Sequence, residues 1–332
     1  MISDLYTITY NLPDVRVKNV NIIGKNHSYH GTTCDNGTRT TEYYSEIALR
    51  GLSKAVQRLS NLDPDPLLIG NVKLIPIQDQ TSILRASALS ARRGRRLIYD
   101  GLDASFGLGI TAILGPNGAG KTTLFESLLE PTSLHAGSVA LNGETINTPS
   151  QLRQYYSRIG YMPQNWQYFP GFTVREMIEY GAWLKGVPSK SLSHLAEQAI
   201  EWVDLTSSAD TRIRKLSGGS RQRVGLAEAF VHNPDVVLLD EPTVGLDPAQ
   251  RALFRKFLKS RSENRAIVLS THLTDDVVAI ADRVCVVNHG RILFNGTPTE
   301  LSEKSTDSSS AVSAVESGYL TVISASDEGH QH

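Results

Sequence analysis

The residues from Gly115 to Thr123 read GPNGAGKTT and have the spacing GxxxxGK(S/T). In a strand-to-helix turn of this kind, backbone N–H groups converge on phosphate oxygens. The glycines allow positive φ and close approach of the backbone, while Lys121 supplies a charge for the β and γ phosphates and Thr122 a hydroxyl ligand for Mg²⁺. The stretch therefore predicts a site for nucleotide phosphates. The residues expected to line it are Gly115, Pro116, Asn117, Gly118, Ala119, Gly120, Lys121, Thr122 and Thr123.

A second candidate for chemistry is the acidic pair Asp240-Glu241, which follows the apolar run from Val236 to Leu239. Such a run is typical of a strand buried on both faces of a parallel sheet, and ligands bind at the carboxyl ends of these strands. Adjacent acids on one strand point in different directions, so we expect Asp240 near Mg²⁺ and Glu241 near an attacking water. The alternative is a solvated acidic turn, which we disfavour because an apolar strand running into unused paired acids is costly.

Both candidates need strands and helices to position them. The apolar run from Ile110 to Leu114 predicts a buried strand before the phosphate loop, and a helix is expected to begin at Thr123. The N-terminal dipole of that helix favours an anion.

Composition narrows the function. The chain has 332 residues, 40% of them hydrophobic, so one large domain or two are possible and a core is easily built. A formal net charge of −1 argues against nucleic acid as the main partner. One local exception to the balanced charge is a basic cluster that precedes the nucleotide strand and consists of Arg92, Arg93, Arg95 and Arg96. The cluster predicts either a local basic surface or a solvated turn.

The cysteine count and hydropathy predict a location. Cys34 and Cys285 are too few to suggest a disulfide framework, which favours a reducing, cytoplasmic compartment. No stretch approaches the roughly 18 apolar residues that a membrane helix needs, and the N-terminus does not have the order of a secretory signal.

The first 80 residues form a predicted N-terminal extension of unknown role. A strand is expected near Val15 to Ile22, a loop over the polar stretch Tyr29 to Thr41, and a helix over the apolar stripe from Leu49 to Leu59. We place the next domain at residues 81–302 and a Ser- and Thr-rich tail at 303–332, with a short terminal element from Ala311 to Ser324.

Within residues 81–302, the pattern predicts short strands around a helical insert at about 165–215. The expected strands are Ser82 to Leu89, Leu97 to Phe106, Gly137 to Gly143, Ile159 to Pro163 and Ala266 to Leu269. The insert is predicted to contain two helices, one entered through the capping-box sequence at Thr173 and one with an apolar face from Leu192 to Val203.

The stretch Leu216 to Arg223, LSGGSRQR, resembles the signature sequence of the ATP-binding cassette (ABC) transporter ATPases. Other motifs of that family occur in the expected order and extend from residue 82 to about 300. They are Gln164 for the glutamine loop, Asp240-Glu241 for the second nucleotide motif, Gly245-Leu246-Asp247 for the aspartate loop and Ser270-Thr271-His272 for the switch histidine.

The resemblance implies a P-loop NTPase fold, a RecA-like α/β core with an antiparallel β subdomain and a helical insert. It also implies that two such domains, in a homodimer or heterodimer, bind head to tail with two ATP molecules between them. Ser217, Gly218 and Gly219 precede a predicted helix from Arg221 to Phe230, and one subunit can hardly aim two helix N-termini at one phosphate. The signature of one copy is therefore expected to cap the γ-phosphate held by Lys121 of the other.

The same resemblance assigns roles to the remaining motif residues. Glu241 is the expected general base, His272 would orient the γ-phosphate and the water, and Gln164 would sense Mg²⁺ and water. Asp247 is counted among the nucleotide contacts. The predicted metal ligands are Thr122, Gln164 and Asp240, and the predicted cofactors are ATP and Mg²⁺.

One departure from the family concerns the base. Family members usually stack an aromatic residue on adenine, but the stretch from Ser87 to Arg96 contains none. Arg93 lies where the aromatic is expected, and its guanidinium plane can also stack on a base. Tyr99 is a weaker substitute because it should lie within a strand.

The resemblance further implies a partner, a separate membrane permease that would hold the chain at the inner face of the membrane. The segment Phe169 to Thr173 and the tail look like those of exporter subunits, so export is expected. A soluble ABC ATPase that remodels a complex is the alternative, although such proteins often fuse two cassettes and this chain has one set of motifs. A catalytically inactive regulatory subunit is opposed by the presence of Lys121, Glu241 and His272.

Overall fold

The computed structural model describes the backbone of four strands between residues 6 and 44, and residues 82–94, 96–305 and 311–328. The chain divides into two units, residues 1–81 and 82–332, which are described separately.

The first unit contains an antiparallel sheet in the order β1-β2-β3-β4. Its strands are β1 (Tyr6–Leu12), β2 (Val15–Lys25), β3 (Ser28–Asp35) and β4 (Thr38–Tyr44). The strand predicted near Val15 is confirmed, but the loop predicted over Tyr29 to Thr41 is wrong, because β3 and β4 pair there in register. The stretch is rich in threonine, which favours strands even when the sequence is polar. The helix predicted from Leu49 to Leu59 lies outside the described residues.

The second unit mixes strands and helices. Its strands are β5 (Ser82–Arg93), β6 (Arg96–Gly107), β7 (Gly109–Leu114), β8 (Ala136–Leu141), β9 (Glu144–Thr145), β10 (Ile159–Met162), β11 (Val236–Asp240), β12 (Ala266–Thr271), β13 (Arg283–Asn288) and β14 (Arg291–Gly296). Its helices are α1 (Lys121–Leu129), α2 (Pro149–Arg158), α3 (Val174–Leu184), α4 (Ser189–Trp202), α5 (Gly218–Phe230), α6 (Pro248–Arg261), α7 (Thr274–Ile280), α8 (Pro298–Ser302) and α9 (Ala311–Glu328).

A six-stranded sheet in the order β10-β11-β12-β7-β13-β14 is the centre of this unit. All neighbouring pairs are parallel except β13 with β14. The phosphate-loop strand β7 lies between β12 and β13, and the carboxyl ends of β7, β10, β11 and β12 reach the same edge. Because the predicted motifs follow these strands, the topology gathers them at that edge.

The six-stranded sheet is buried on both faces. Ile110, Ala112 and Leu114 of β7 belong to one core, which the helices α3 to α7 help to build, and Ile113 belongs to the other. All five residues of β11 are buried, as its continuous apolar run predicts.

A second sheet, antiparallel and in the order β6-β5-β8-β9, packs over the core that contains Ile113. The stretch predicted as a strand from Gly137 to Gly143 ends in a hairpin turn between β8 and β9, with Asn142 at φ 49° and Gly143 at φ 80°. Positive φ at both central residues is the geometry that an Asn-Gly hairpin turn requires.

The predicted insert contains α3 and α4, as expected. Thr173 caps α3 in a capping box with Glu176, which satisfies two backbone N–H groups at the start of the helix. Along α4, Ala196, Ala199 and Ile200 are buried against α3 and α5. The predicted terminal element is also present, as α9, in which Val315 packs against the core.

Candidate nucleotide-binding site

A pocket of about 460 Å³ lies at the carboxyl edge of the six-stranded sheet. The residues that line it are Arg93, Arg96, Ile98, Pro116, Asn117, Gly118, Gly120, Lys121, Thr122, Thr123, Gln164 and Glu241. Most of the predicted phosphate-loop residues, the predicted general base Glu241 and Gln164, which follows β10, therefore meet in one cavity.

The phosphate loop takes the conformation that its glycines permit. Gly118 and Gly120 have φ of 82° and 110°, which side chains other than glycine rarely adopt, and Gly120 is the N-cap of α1. Helix α1 begins at Lys121, two residues earlier than predicted. Its free N–H groups and the positive end of its dipole face the pocket, which suits an anion.

Lys121 holds the loop and contacts the predicted base. Its Nζ donates to the carbonyl of Gly115 at 2.7 Å and to that of Pro116 at 3.3 Å, and it lies 3.2 Å from Oε1 of Glu241. The lysine is 6% exposed, so its charge acts in a medium that screens it weakly.

Glu241 leaves the line of β11 through a strained backbone. It has φ 48°, an uncommon value for a residue that is not glycine, and strain of this kind is concentrated at functional sites. Asp240 remains the last residue of β11, so the turn separates the two carboxylates. The predicted divergence of the acids therefore arises from this turn as well as from strand alternation.

A serine on the neighbouring strand fixes both acids. Ser270 Oγ donates to Oδ1 of Asp240 at 2.6 Å and accepts from the backbone N–H of Glu241 at 2.8 Å. All three residues are buried. The motif Ser270-Thr271-His272 predicted a role for His272 but none for Ser270. The sequence feature that could have indicated the role of Ser270 is its position near the end of β12.

His272 completes the group around Glu241. Its Nδ1 lies 2.8 Å from Oε2 of Glu241, while its side chain is 46% exposed. The imidazole tautomer with its proton on Nδ1 donates to Oε2 in this contact. Glu241 is thus held between the Lys121 ammonium on one oxygen and the His272 imidazole on the other.

Tyr99 forms a hydrogen bond with the phosphate loop, a contact that we did not predict from the sequence. It lies within β6, as predicted, is fully buried, and donates its hydroxyl to the carbonyl of Gly120 at 2.7 Å. Burial raises the pKa of Tyr99, so the hydroxyl stays protonated as a donor. The turn after β13 adds a second support, because Gly290 N–H donates to the carbonyl of Ala119.

Arg93, Arg96 and Ile98 also line the pocket, and Ile98 lies beside the start of α1, since a Cβ added at Gly120 would be 3.1 Å from its Cγ2. Arg93, the predicted base contact, is one of the lining residues, and among the described residues that line the pocket none is aromatic. Arg96 and Ile98 were not predicted to take part.

The signature and aspartate-loop residues are not part of this pocket. Ser217 caps α5 by accepting a hydrogen bond from the backbone N–H of Ser220. Gly218 and Gly219 lie in the first turn of α5, whereas we predicted that they precede the helix. Asp247 caps α6 by accepting from Gln250 N–H at 2.8 Å. Ser217, Gly218 and Asp247 are all exposed.

The predicted metal ligands are oxygens of the kind that Mg²⁺ prefers. Thr122 and Gln164 line the pocket, whereas Asp240 is buried and is not among the lining residues. Within the described residues no group of three or more His, Cys, Asp or Glu side chains could hold a metal without other ligands. A site with one carboxylate fits Mg²⁺, which is usually bound through one or two carboxylates together with substrate phosphates and water.

Residues 106–244 match the family model described as ABC transporter. A protein named "Nod factor export ATP-binding protein I" from Ralstonia nicotianae is 37% identical over 223 residues, which cover 67% of this chain and 69% of that protein. A protein of the same name from Burkholderia pseudomallei is 40% identical over 210 residues, covering 63% of this chain and 68% of its own length.

Two solved structures are similar in fold. One is cbiO1 from Clostridium perfringens, described as part of the ABC transporter complex cbiONQ, with a TM-score of 0.60 and 27% identity over 67% of this chain and 90% of that one. The other is an ATP-binding subunit of an ABC transporter, with a TM-score of 0.63 and 19% identity over 73% of this chain and all of that one. In the described residues no helix is long and apolar enough to cross a membrane.

Proposed function

This chain belongs to the ATP-binding subunits of the ABC transporters, a family of ATPases with the P-loop NTPase fold, and we propose that it energises export through a separate membrane permease. The observation that carries the proposal is the contact of Glu241 with both Lys121 and His272 at the edge of the pocket. The relatives named as export ATP-binding proteins support the direction of transport. Their names do not define what this chain exports.

The contact between Lys121 and Glu241 supports an order of events in the site. While the Lys121 ammonium contacts Oε1 of Glu241, that oxygen is occupied and is not available to a water. The β and γ phosphates of ATP compete for the same ammonium. When they take Lys121, Glu241 keeps His272 as its partner and becomes free to accept a proton from water.

Mg²⁺ is the cofactor that we propose with ATP, held by Thr122, Gln164 and Asp240 together with the phosphates. A bound Mg²⁺ neutralises charge that develops on the phosphates. The residues of the chain do the remaining work. Lys121 and the α1 N–H groups bind the phosphates, Glu241 accepts the proton, and His272 orients the water relative to the γ-phosphate.

We further propose that two nucleotide-binding domains form the complete site. Ser217, Gly218 and Asp247 are exposed and lie outside the pocket, as contacts to a nucleotide held by a second copy should. The first turn of α5 offers N–H groups to an anion in the same way as that of α1. ATP bound between two copies would stabilise the dimer, and hydrolysis would release it.

An ATP-dependent cross-link tests this arrangement. Asn117→Cys and Ser217→Cys are combined in the Glu241→Gln background, so that ATP persists. Oxidation should then give a cross-linked dimer with ATP and Mg²⁺, but not without nucleotide or with either cysteine alone. Cross-linking that ignores ATP would contradict the two-domain site.

We propose that the permease contacts an aromatic surface on the insert. This surface consists of Phe169, Phe172, Tyr180, Trp183 and Leu184. Phe169, Trp183 and Leu184 are about half exposed, and the rings of Phe169 and Tyr180 meet edge to face at 5.4 Å. Exposed apolar groups clustered in this way mark interaction surfaces. The surface is joined to the pocket by the short segment that begins at Gln164, so a partner bound there could respond to nucleotide.

The proposal as a whole is tested in vesicles that contain the permease. The native chain should bind the vesicles and drive ATP-dependent transport, and Glu241→Gln should bind without transport. A Phe169→Ser, Trp183→Ser variant should keep ATPase activity in solution but lose binding to the vesicles. A native chain that hydrolyses ATP and never associates with a permease would favour a remodelling ATPase instead. In this proposal residues 81–302 carry the nucleotide chemistry and residues 1–80 carry none of it. The chain lies at the cytoplasmic face of the membrane.

A further inference from the structure

A partly buried polar contact joins the segment after Gln164 to helix α5. Nε1 of Trp166 donates to Oε2 of Glu228 at 2.8 Å. Trp166 lies two residues beyond Gln164, and Glu228 lies in α5, whose first turn carries the signature residues. The contact spans 62 positions in sequence, so it connects two motifs that the sequence shows only separately.

Two helical glycines make room for this contact. A Cβ added at Gly225 of α5 would lie 2.9 Å from the indole ring of Trp166, and one added at Gly181 of α3 would lie 2.4 Å from Cγ of Glu228. Glycine in a helix interior costs about 1 kcal/mol relative to alanine, so both positions disfavour helix formation locally. Three elements, α3, α5 and the segment that carries Trp166, are therefore closely packed around one hydrogen bond.

The contact continues to the signature turn. The Trp166 and Tyr168 rings are stacked with centroids 5.4 Å apart, and the Arg221 guanidinium lies 5.9 Å from the centroid of Tyr168. Arg221 also donates to the carbonyl of Leu216 at 2.8 Å. Leu216 precedes Ser217, so a continuous set of contacts extends from the segment beside the pocket to the start of α5.

The charged groups around Glu228 fix its surroundings. Lys185, at the end of α3, donates to the carbonyls of Ile159 and Tyr156 at 2.8 and 3.2 Å. His232 shares the Ile159 carbonyl, with Nε2 at 3.2 Å. Burial raises the pKa of Glu228 to about 7, while the Trp166 hydrogen bond and Lys185 act in the opposite direction. Lys185 follows α3 of the insert, whereas Glu228 lies in α5 and His232 follows it, so these groups lie where the insert packs against α5.

We propose that Trp166 and Glu228 are positioning residues, which transmit the position of Gln164 to helix α5 and so align Ser217 and Gly218 with the second nucleotide. The indole is tied to α5 by two contacts, because its ring packs on Gly225 with no room for a Cβ and its N–H donates to Glu228. Packed interiors transmit such displacements since their contacts deform little. The inference rests on the proposed ATPase function and names residues that act on the reaction only through others.

The test is a double-mutant cycle on ATP hydrolysis. Trp166→Phe keeps an aromatic ring on Gly225 but removes the N–H donor, and it should lower kcat roughly three- to tenfold with KM within about twofold. In the Gln164→Ala background the same change should alter kcat by less than about 1.5-fold. A purely structural role of Trp166 would give the same fold loss in both backgrounds, which would overturn the inference.

A matched control is available because the chain has three tryptophans. Trp202→Phe makes the same chemical change on α4, where the indole contacts the Arg261 guanidinium at 3.8 Å, and it should leave kcat within about twofold in both backgrounds. An effect of Trp202→Phe equal to that of Trp166→Phe would also overturn the inference, because the loss of kcat would then not be specific to Trp166.

Substitutions of Glu228 keep the test decisive if Trp166→Phe folds poorly. Glu228→Gln retains an oxygen that accepts from the indole and should stay within about twofold of the native kcat, while Glu228→Leu removes the acceptor and should reproduce the loss given by Trp166→Phe. Equal activity of the two variants would contradict the role of the hydrogen bond. The failures remain distinguishable, since a native chain without ATPase activity refutes the proposed function, whereas an additive cycle in an active chain refutes only this inference.

Discussion

Glu241 and Glu228 are both largely buried carboxylates near a lysine, yet their surroundings differ in kind. Glu241 lines the pocket with Lys121 at 3.2 Å and is held by an exposed histidine. Glu228 lies between helices, accepts from an indole, and has its pKa raised to about 7 by burial. A carboxylate beside a cation at a pocket edge is available to a substrate, whereas one enclosed by helices can act only on their packing.

The largest expected effect separates the two carboxylates by activity. Glu241→Gln should lower the rate of ATP hydrolysis by ~10²–10⁴ because it removes the general base and leaves the phosphate contacts intact. ATP affinity should stay near native, and a dimer should persist in size-exclusion chromatography with ATP and Mg²⁺. Glu228→Gln at neutral pH is the matched control. Native-like hydrolysis by Glu241→Gln would remove the assigned role.

The second prediction concerns Glu228 and the pH dependence of the free energy of unfolding. The pKa of Glu228 is raised from 4.5 to about 7 in the folded chain. Its contribution to stability is therefore fully present below pH 4.5 and lost as pH rises to about 7. Glu228→Gln cannot ionise, so its stability relative to the native chain should rise between pH 5 and pH 8, by up to about 3 kcal/mol.

Urea unfolding at pH 5 and pH 8 measures this difference. The neighbouring His232 has its pKa lowered to about 4 by burial, so its own contribution grows as pH rises, but it is present in both proteins and cancels. A stability difference that does not change between the two pH values would show that Glu228 does not titrate in this range.

The third prediction compares the two lysines. Lys121→Ala should weaken ATP binding at least about tenfold, since its charge is used in the ground state as well as in the transition state. Lys185→Met keeps the length of the side chain but loses the hydrogen bonds to Tyr156 and Ile159, so it should lower the melting temperature and leave the ATP Kd within about twofold. Titration of ATP against both variants tests this, and equal affinities would contradict the difference between the two sites.

The smallest effect concerns the base. Arg93, Arg96 and Ile98 line the pocket, and with Arg93 as the predicted base contact we expect a cation–π interaction of about 0.5–2 kcal/mol in place of an aromatic stack. ATP and GTP should therefore bind within about tenfold of each other, which is about 1.4 kcal/mol. Arg93→Tyr should bind ATP as tightly as the native chain or tighter. A stronger native preference for ATP would show that another residue recognises the base.

Several local features were predictable because their signals lie within a few residues. The phosphate loop, the capping box at Thr173, the Asn142-Gly143 turn and the apolar run of β11 each depend on spacing or φ requirements that the sequence displays directly. Polar strands lack such a signal. The stretch from Tyr29 to Thr41 was therefore predicted as a loop although β3 and β4 pair there.

The sequence by itself determined the phosphate-loop chemistry and the order of the motifs, because short spacings and strand composition set them. Only the tertiary structure decided which partners each side chain meets. Tyr99 beneath Gly120, Ser270 between the two acids and Trp166 on Glu228 are contacts between residues 21 to 62 positions apart. Such contacts form when strand order and helix packing bring distant segments together, and no local pattern of residues records that geometry.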